Sequence, residues 1–174
     1  ANLPPTWALD AVARPAGSST YRAKIGEANV TEEMRRVGAV VGGEGNGGVI
    51  YPRINFARDS LVAMALVLHL LAETGRTVTE LLAELPPSHM IKEKLLCRSD
   101  RIGRVLKTVR AAYAGHPVDL RDGVRVTTED GWFLVRGSNT EPIIRLVAEA
   151  ETEAQARRII EEVRELVGQC LDGG

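Results

Sequence analysis

Between Val41 and Val49 the chain places five glycines in seven positions, Gly42-Gly43-Glu44-Gly45-Asn46-Gly47-Gly48, and the residues just after them decide the fold class. Gly43, Gly45 and Gly48 satisfy the spacing of a dinucleotide fingerprint. That fingerprint needs a helix to open directly after the glycines, so that its N-terminus meets a pyrophosphate. Here Val49-Ile50-Tyr51 is strand-like, and Pro52 restricts the residue before it to β-like angles. The order is strand, glycine loop, strand, which rejects a dinucleotide-binding oxidoreductase domain and predicts a hairpin with an Asn-Gly turn. The hairpin alone leaves Glu44 unexplained. Among glycines the backbone is open to close approach by a ligand, and a carboxylate can accept hydrogen bonds from two neighbouring sugar hydroxyls. Asn46 adds a donor and an acceptor.

A second polar loop, Arg136-Gly137-Ser138-Asn139-Thr140-Glu141-Pro142, lies between the apolar runs Trp132–Val135 and Ile143–Val147. Arg136 and Arg145 flank a turn that carries two hydroxyls, a side-chain amide and free backbone N–H groups. A phosphate monoester brings about two negative charges and three acceptor oxygens. Guanidinium groups match those oxygens with parallel donors, and consecutive N–H groups in a turn form an anion-binding concavity. A polar hairpin turn with an Arg on each strand would have the same spacing, and spacing alone does not choose between the two.

Composition narrows the partners. A net charge of −1 argues against a broad basic face for nucleic acid. Aromatics at 4% leave no stacking platform for single strands. The longest apolar run, Leu61–Ala72, is broken by His69 and is too short to span a bilayer, so no membrane partner is expected. His69 itself reads as a boundary or core histidine rather than a ligand. Cys97 and Cys170 are the only cysteines and form neither a disulfide framework nor a metal-ligand spacing, which points to a cytoplasmic setting.

In chain order, Thr6 caps a short helix through Ala13, and Thr20–Ile25 reads as a short strand. Asn29-Val30-Thr31-Glu32 has capping-box spacing and predicts a helix near Thr31–Val37, stopped by Gly38. Ala39-Val40-Val41 predicts the start of a buried strand. Asp59 or Ser60 opens a helix from Leu61 to Thr74 that is apolar almost all round and is expected to be buried. Thr77-Val78-Thr79-Glu80 is another capping box, and Pro86–His89 marks a boundary between units spanning 1–86 and 87–174. Beyond it the pattern is strand Met90–Leu96, helix Asp100–Ala114, strands around Asp122-Gly123, strands Trp132–Val135 and Ile143–Ala148, and a final helix from Thr152. That is a small α+β domain, an antiparallel sheet with helices on one face.

Taken together, these motifs resemble the C-terminal half of an α-D-phosphohexomutase, the superfamily of phosphoglucomutase, phosphomannomutase and phosphoglucosamine mutase. Gly43–Gly48 resembles the sugar-binding loop of the family's third domain, with Glu44 matching the carboxylate that contacts sugar hydroxyls. Asn46 stands where many members have Ser, and Gly48 where many have His. Lys24, in Ala23-Lys24-Ile25-Gly26-Glu27, matches a basic residue near the reacting phosphoryl group or sugar, and Glu27 stands where some members have His or Asp. Arg58-Asp59-Ser60 resembles the segment that opens the next helix. Arg136 through Pro142 is the most specific match, to the fourth domain's phosphate loop. It implies that Arg136, Ser138, Asn139, Thr140 and Arg145 hold the phosphate that is not being transferred.

The resemblance implies an α/β, mixed-sheet third domain over 1–86, lacking its first strand and helix, followed by the whole fourth domain over 87–174. The family's Ser-His-Asn-Pro-type phosphoserine loop and its Asp-Gly-Asp-x-Asp-Arg magnesium loop do not occur here. No metal ligand is therefore expected in these residues; Mg2+ would be held by the missing N-terminal domains, and the chain alone would be inactive. The implied partners are those domains, hexose phosphate and hexose bisphosphate, and the implied reaction moves phosphate between the 1- and 6-positions. The competing expectation is a non-catalytic module that binds sugar phosphates or anions.

Overall fold

The computed structural model describes residues 1–4, 6–138 and 140–172. The chain divides into two compact units, Ala1–Pro86 and Pro87–Gly174.

In the first unit, helix α1 (Ala8–Ala13) is entered through the Thr6 hydroxyl, which accepts from the Ala8 N–H at 3.1 Å. Helix α2 spans Glu27–Val37, four residues earlier than the capping-box spacing predicts. Asn29 and Thr31 do not cap it: their side chains donate back to the Ile25 and Ala28 carbonyls, inside the first turns. Gly38 ends the helix in the left-handed conformation, as expected. The strand expected over Thr20–Ile25 is reduced to one parallel bridge, Asn2↔Ala23. Strands β1 (Gly42–Gly43) and β2 (Val49–Ile50) pair antiparallel, with Gly43 opposite Val49. No helix opens at Val49.

Helix α3 (Ser60–Thr74) starts where Asp59 accepts from the Leu61 and Val62 N–H groups and stops at Gly75. Its expected burial is not found. No α3 residue is buried, and Leu61 and Leu68 are 72% and 65% exposed. Two strands of two residues cannot cover a fifteen-residue apolar helix, and the small core of Ala23, Val30, Met34 and Ile50 forms under α2 instead. For the same reason Val40 and Val41, expected in a buried strand, stay exposed. His69 is neither core nor boundary; it lies on the open face, 3.5 Å from Glu73.

Helix α4 (Val78–Leu82) has the predicted capping box, with the Thr77 hydroxyl accepting from Glu80 N–H and Glu80 accepting from Thr77 N–H at 2.8 Å. Thr77→Ala should destabilise this turn by about 0.5–2 kcal/mol, seen as faster amide exchange across α4. The hydrogen bonds from Thr77 also hold the Glu80 carboxyl below its ordinary value of 4.5. The cap is thus intact above that value and is lost as pH falls through the lower folded one, so α4 chemical shifts should move toward coil in acid before the second unit changes.

The second unit is built on a five-stranded antiparallel sheet. Strand β3 (His89–Leu96) is followed by helix α5 (Ser99–Ala112), strands β4 (Val118–Asp119), β5 (Val124–Thr127), β6 (Gly131–Gly137) and β7 (Ile143–Ala150), and helix α6 (Glu153–Asp172). The spatial order is β3-β7-β6-β5-β4. Alternation puts Val124, Val126, Phe133, Val135, Ile144 and Leu146 on one face, where Val105 and Val109 of α5 and Ile160, Val163 and Val167 of α6 cover them. The opposite face carries Trp132, Leu134 and Arg136 on β6 and Arg145, Val147 and Glu149 on β7. Glu149 is fully buried there and accepts from Trp132 Nε1 and the Ser88 hydroxyl.

Candidate functional site

Two groups of polar side chains stand out, one in each unit. In the first, Glu44 and Gly47 close the glycine loop. The Gly47 N–H donates to the Glu44 carbonyl and the Glu44 N–H to the Gly48 carbonyl, both at 3.0 Å, while Gly47 takes φ +92°. A turn followed by a left-handed glycine is a common short hairpin closure and explains Gly47 sterically. Asn46 stays exposed, its side-chain oxygen turned inward to accept from the Gly48 N–H at 3.2 Å.

The Glu44 side chain is only 6% exposed. Its Oε1 accepts from the Asn2 amide at 3.1 Å and the Gly26 N–H at 3.2 Å, and its Oε2 lies 3.0 Å from Arg58 Nη1. Asn2 is itself buried, and its side-chain oxygen accepts from the Gly45 N–H. Asn2 and Gly26 both donate to Oε1, whereas the Arg58 contact is an ion pair without a hydrogen bond, so Oε2 keeps its acceptor positions. Arg58 also donates from Nε to Glu27 Oε2 at 2.6 Å, and this hydrogen bond holds the Glu27 carboxyl below its usual range. The Arg58 stem lies against Gly48, where a Cβ would come within 2.3 Å of Arg58 Cδ. Lys24, two residues before Gly26, is exposed and makes no hydrogen bond or ion pair among the described residues.

In the second unit, Arg136 and Arg145 are register partners on β6 and β7 and therefore share a face. Lys94 on β3 is opposite Arg145 in turn, which lines three cations across the sheet. Like charges placed directly opposite one another disfavour a sheet, so this row calls for anions. Some are supplied internally: Glu141 pairs with Arg145 at 2.5 Å, and Asp122 Oδ1 is 3.6 Å from Arg136 Nε. At 3.6 Å the latter is an ion pair without a hydrogen bond, and Arg136 Nε is buried with no hydrogen-bond partner. The Ser138 hydroxyl accepts from the Thr140 and Glu141 N–H groups at 3.4 and 3.3 Å, so both amides converge on one point in the turn. Asn139 lies outside the described residues.

The residues singled out in the sequence thus form two clusters, Glu44 with Asn46 near the Lys24 segment, and Arg136 with Ser138, Thr140 and Arg145. Asn2, Asp122 and Lys94 carried no sequence signal: the first is 42 residues from its partner, and the others read as turn and strand. Among the described residues no group of three or more His, Cys, Asp or Glu side chains could hold a metal ion. None of the helices described is long and apolar enough to cross a membrane.

Comparison with known proteins agrees with this architecture. The chain matches the α/β/α domain III of phosphoglucomutase/phosphomannomutase over residues 1–89 and the C-terminal domain of the same family over residues 97–166. It belongs to the phosphoglucomutase/phosphomannomutase family. A Methanopyrus kandleri protein described as a probable phosphoglucosamine mutase is 38% identical over 98% of this chain and 38% of its own length. A phosphoglucomutase/phosphomannomutase of Thermococcus kodakarensis is 36% identical over 95% of this chain and 36% of its own length. The crystal structure of a Burkholderia thailandensis member superposes with a TM-score of 0.79 at 27% identity, covering 97% of this chain and 36% of that one. The chain spans little more than a third of the length of these relatives.

Proposed function

We propose that these residues form the sugar- and phosphate-binding part of a phosphohexomutase, which interconverts hexose 1-phosphate and hexose 6-phosphate through a bisphosphate. The observation that carries this reading is the Arg136–Arg145 register pair beside a turn whose amides converge at Ser138. A phosphate there would neutralise the opposed guanidiniums, satisfy the buried Arg136 Nε and take over the amides now held by the Ser138 hydroxyl. Thr140 and Asn139 complete the loop in this reading.

The work of such a loop is orientation. It holds the phosphate that is not reacting and so presents the other end of the sugar to the transferring group. In the first unit, Glu44 and Asn46 would bind sugar hydroxyls, with Lys24, an exposed ammonium that makes no hydrogen bond or ion pair among the described residues, as the basic group of that site. The phosphoserine and magnesium loops lie outside these residues in this reading, and the chain alone binds without turning over.

An NMR titration of the chain with glucose 6-phosphate, with inorganic phosphate as control, tests the assignment. Resonances of both 43–48 and 136–145 should move with the sugar phosphate, and only 136–145 with inorganic phosphate. If 136–145 respond equally to both ligands and 43–48 to neither, the chain is an anion-binding module without sugar recognition.

A further inference from the structure

We infer that Asn46-Gly47 is a site of spontaneous modification, at which Asn46 loses its side-chain amide and the glycine loop acquires a second carboxylate close to Glu44. The chain has five asparagines, and only Asn46 is followed by glycine; Asn2, Asn29, Asn55 and Asn139 precede Leu3, Val30, Phe56 and Thr140. The difference is steric. The reaction is attack by the backbone nitrogen of the following residue on the asparagine Cγ, an intramolecular step that depends on close approach. A side chain on the following residue crowds the five-membered ring that forms, and glycine has none. Asn46 is also exposed, and a Cβ at Gly47 would meet nothing within 4 Å, so the ring has room and water has access.

The loop prepares the electrophile. The Gly48 N–H donates to Asn46 Oδ1 at 3.2 Å, so a fixed donor already meets the oxygen on which negative charge develops during attack. The leaving nitrogen, Nδ2, makes no hydrogen bond among the described residues. The Gly47 N–H gives its proton to a solvent base and the nitrogen bonds to Cγ. The Cγ–Nδ2 bond then breaks as Nδ2 takes a proton from water and departs as ammonia. A second water opens the resulting succinimide at one of its two carbonyls. One opening gives aspartate; the other gives isoaspartate, whose backbone runs through the side chain and is longer by one carbon. The restraint on the reaction is the bond from the Gly47 N–H to the Glu44 carbonyl at 3.0 Å, which must open first. Strands β1 and β2 have two residues each, so that opening is local and does not require the unit to unfold. The consequence for binding rests on the sugar-binding reading of the loop, whereas the chemistry does not. A carboxylate at position 46 has no amide donor and repels a sugar phosphate, and the longer backbone of isoaspartate displaces the bond from the Glu44 N–H to the Gly48 carbonyl.

The test is peptide mapping by mass spectrometry after incubation in mildly alkaline buffer, folded and in urea, with isoaspartate counted by enzymatic methylation. In the folded wild-type chain, product should accumulate at Asn46 about tenfold faster than at any other asparagine, equivalent to roughly 1.4 kcal/mol in barrier. Both aspartate and isoaspartate should appear. Asn46→Gln keeps an amide but needs a six-membered ring, and should lose this product. If Asn46 leads only in urea, the bond to the Glu44 carbonyl protects the site in the fold and the inference is overturned. It is also overturned if aspartate forms without isoaspartate, or if Asn46→Gln reacts as fast as wild type. The consequence is read separately with Asn46→Asp, which reproduces one product. By NMR titration it should bind glucose 6-phosphate roughly three- to tenfold more weakly, the range for one hydrogen bond. Its response to inorganic phosphate at 136–145 should match wild type, which reports a folded second unit. If Asn46→Asp binds the sugar phosphate as wild type does, the consequence for binding is overturned together with the sugar role of Asn46, and the modification chemistry stands.

Discussion

Phe133→Ala should lower the unfolding free energy of the second unit by about 3–5 kcal/mol, the range for truncating a buried aromatic. Phe133 is 1% exposed at the centre of β6, on the face that α5 and α6 cover. Its ring meets Tyr113 edge-on, with centroids 4.8 Å apart. Truncation removes apolar area and leaves a void bounded by β5, β7 and both helices, none of which can collapse alone because each is tied to its neighbours in the sheet or to the other helix. The measurement is urea denaturation followed by Trp132 emission in a Trp7→Phe background, so that only the second unit reports. A loss under about 1 kcal/mol would mean that the helix layer closes over the gap and that Phe133 is not the keystone of this core.

The second unit was legible because its pattern is local. Phe133 and Val135 alternate with Trp132 and Leu134, and Ile144 and Leu146 with Arg145, so a period of two names both faces before any fold is known. The polar loop between two such runs also implies its hairpin, and hence Arg136 facing Arg145. The first unit was less legible because its structure is set by distant partners. Gly26 begins α2 with its N–H already committed to Glu44, so the helix starts before the residues that the capping-box spacing singles out. Helix α3 was read correctly at both ends, where Asp59 and Gly75 act locally, and wrongly in burial, which depends on how much other surface is present to cover it. Glu44 was visible as a carboxylate among glycines. That its Oε1 is already taken by Asn2 and Gly26, and its Oε2 ion-paired with Arg58, was not, because all three partners are distant in sequence.

Arg136→Ala should weaken phosphate binding by about 1.5–3 kcal/mol, the value of hydrogen bonds to a charged group, or roughly ten- to a hundredfold in Kd. Opposed charges are the reason. Across β3, β7 and β6, Lys94, Arg145 and Arg136 stand in one row, and each placement next to a like charge costs the sheet unless an anion sits above it. Glu141 already answers Arg145, and Asp122 is near Arg136 but not within hydrogen-bond distance. Of the two guanidiniums Arg136 is thus the less satisfied, and it has the more to gain from a ligand. It is also the more buried, at 13% exposed against 36% for Arg145, so its interaction with phosphate is less screened. Arg145→Ala should accordingly cost less, because Arg145 is already paired with Glu141 and is the more exposed and more screened of the two. Isothermal titration with glucose 6-phosphate across a salt series checks both. If Arg136→Ala binds as wild type does, the pair is a structural feature of the sheet and the phosphate loop must be sought elsewhere. If Arg145→Ala is the more damaging of the two, the Glu141 pair positions Arg145 for phosphate instead of competing for it.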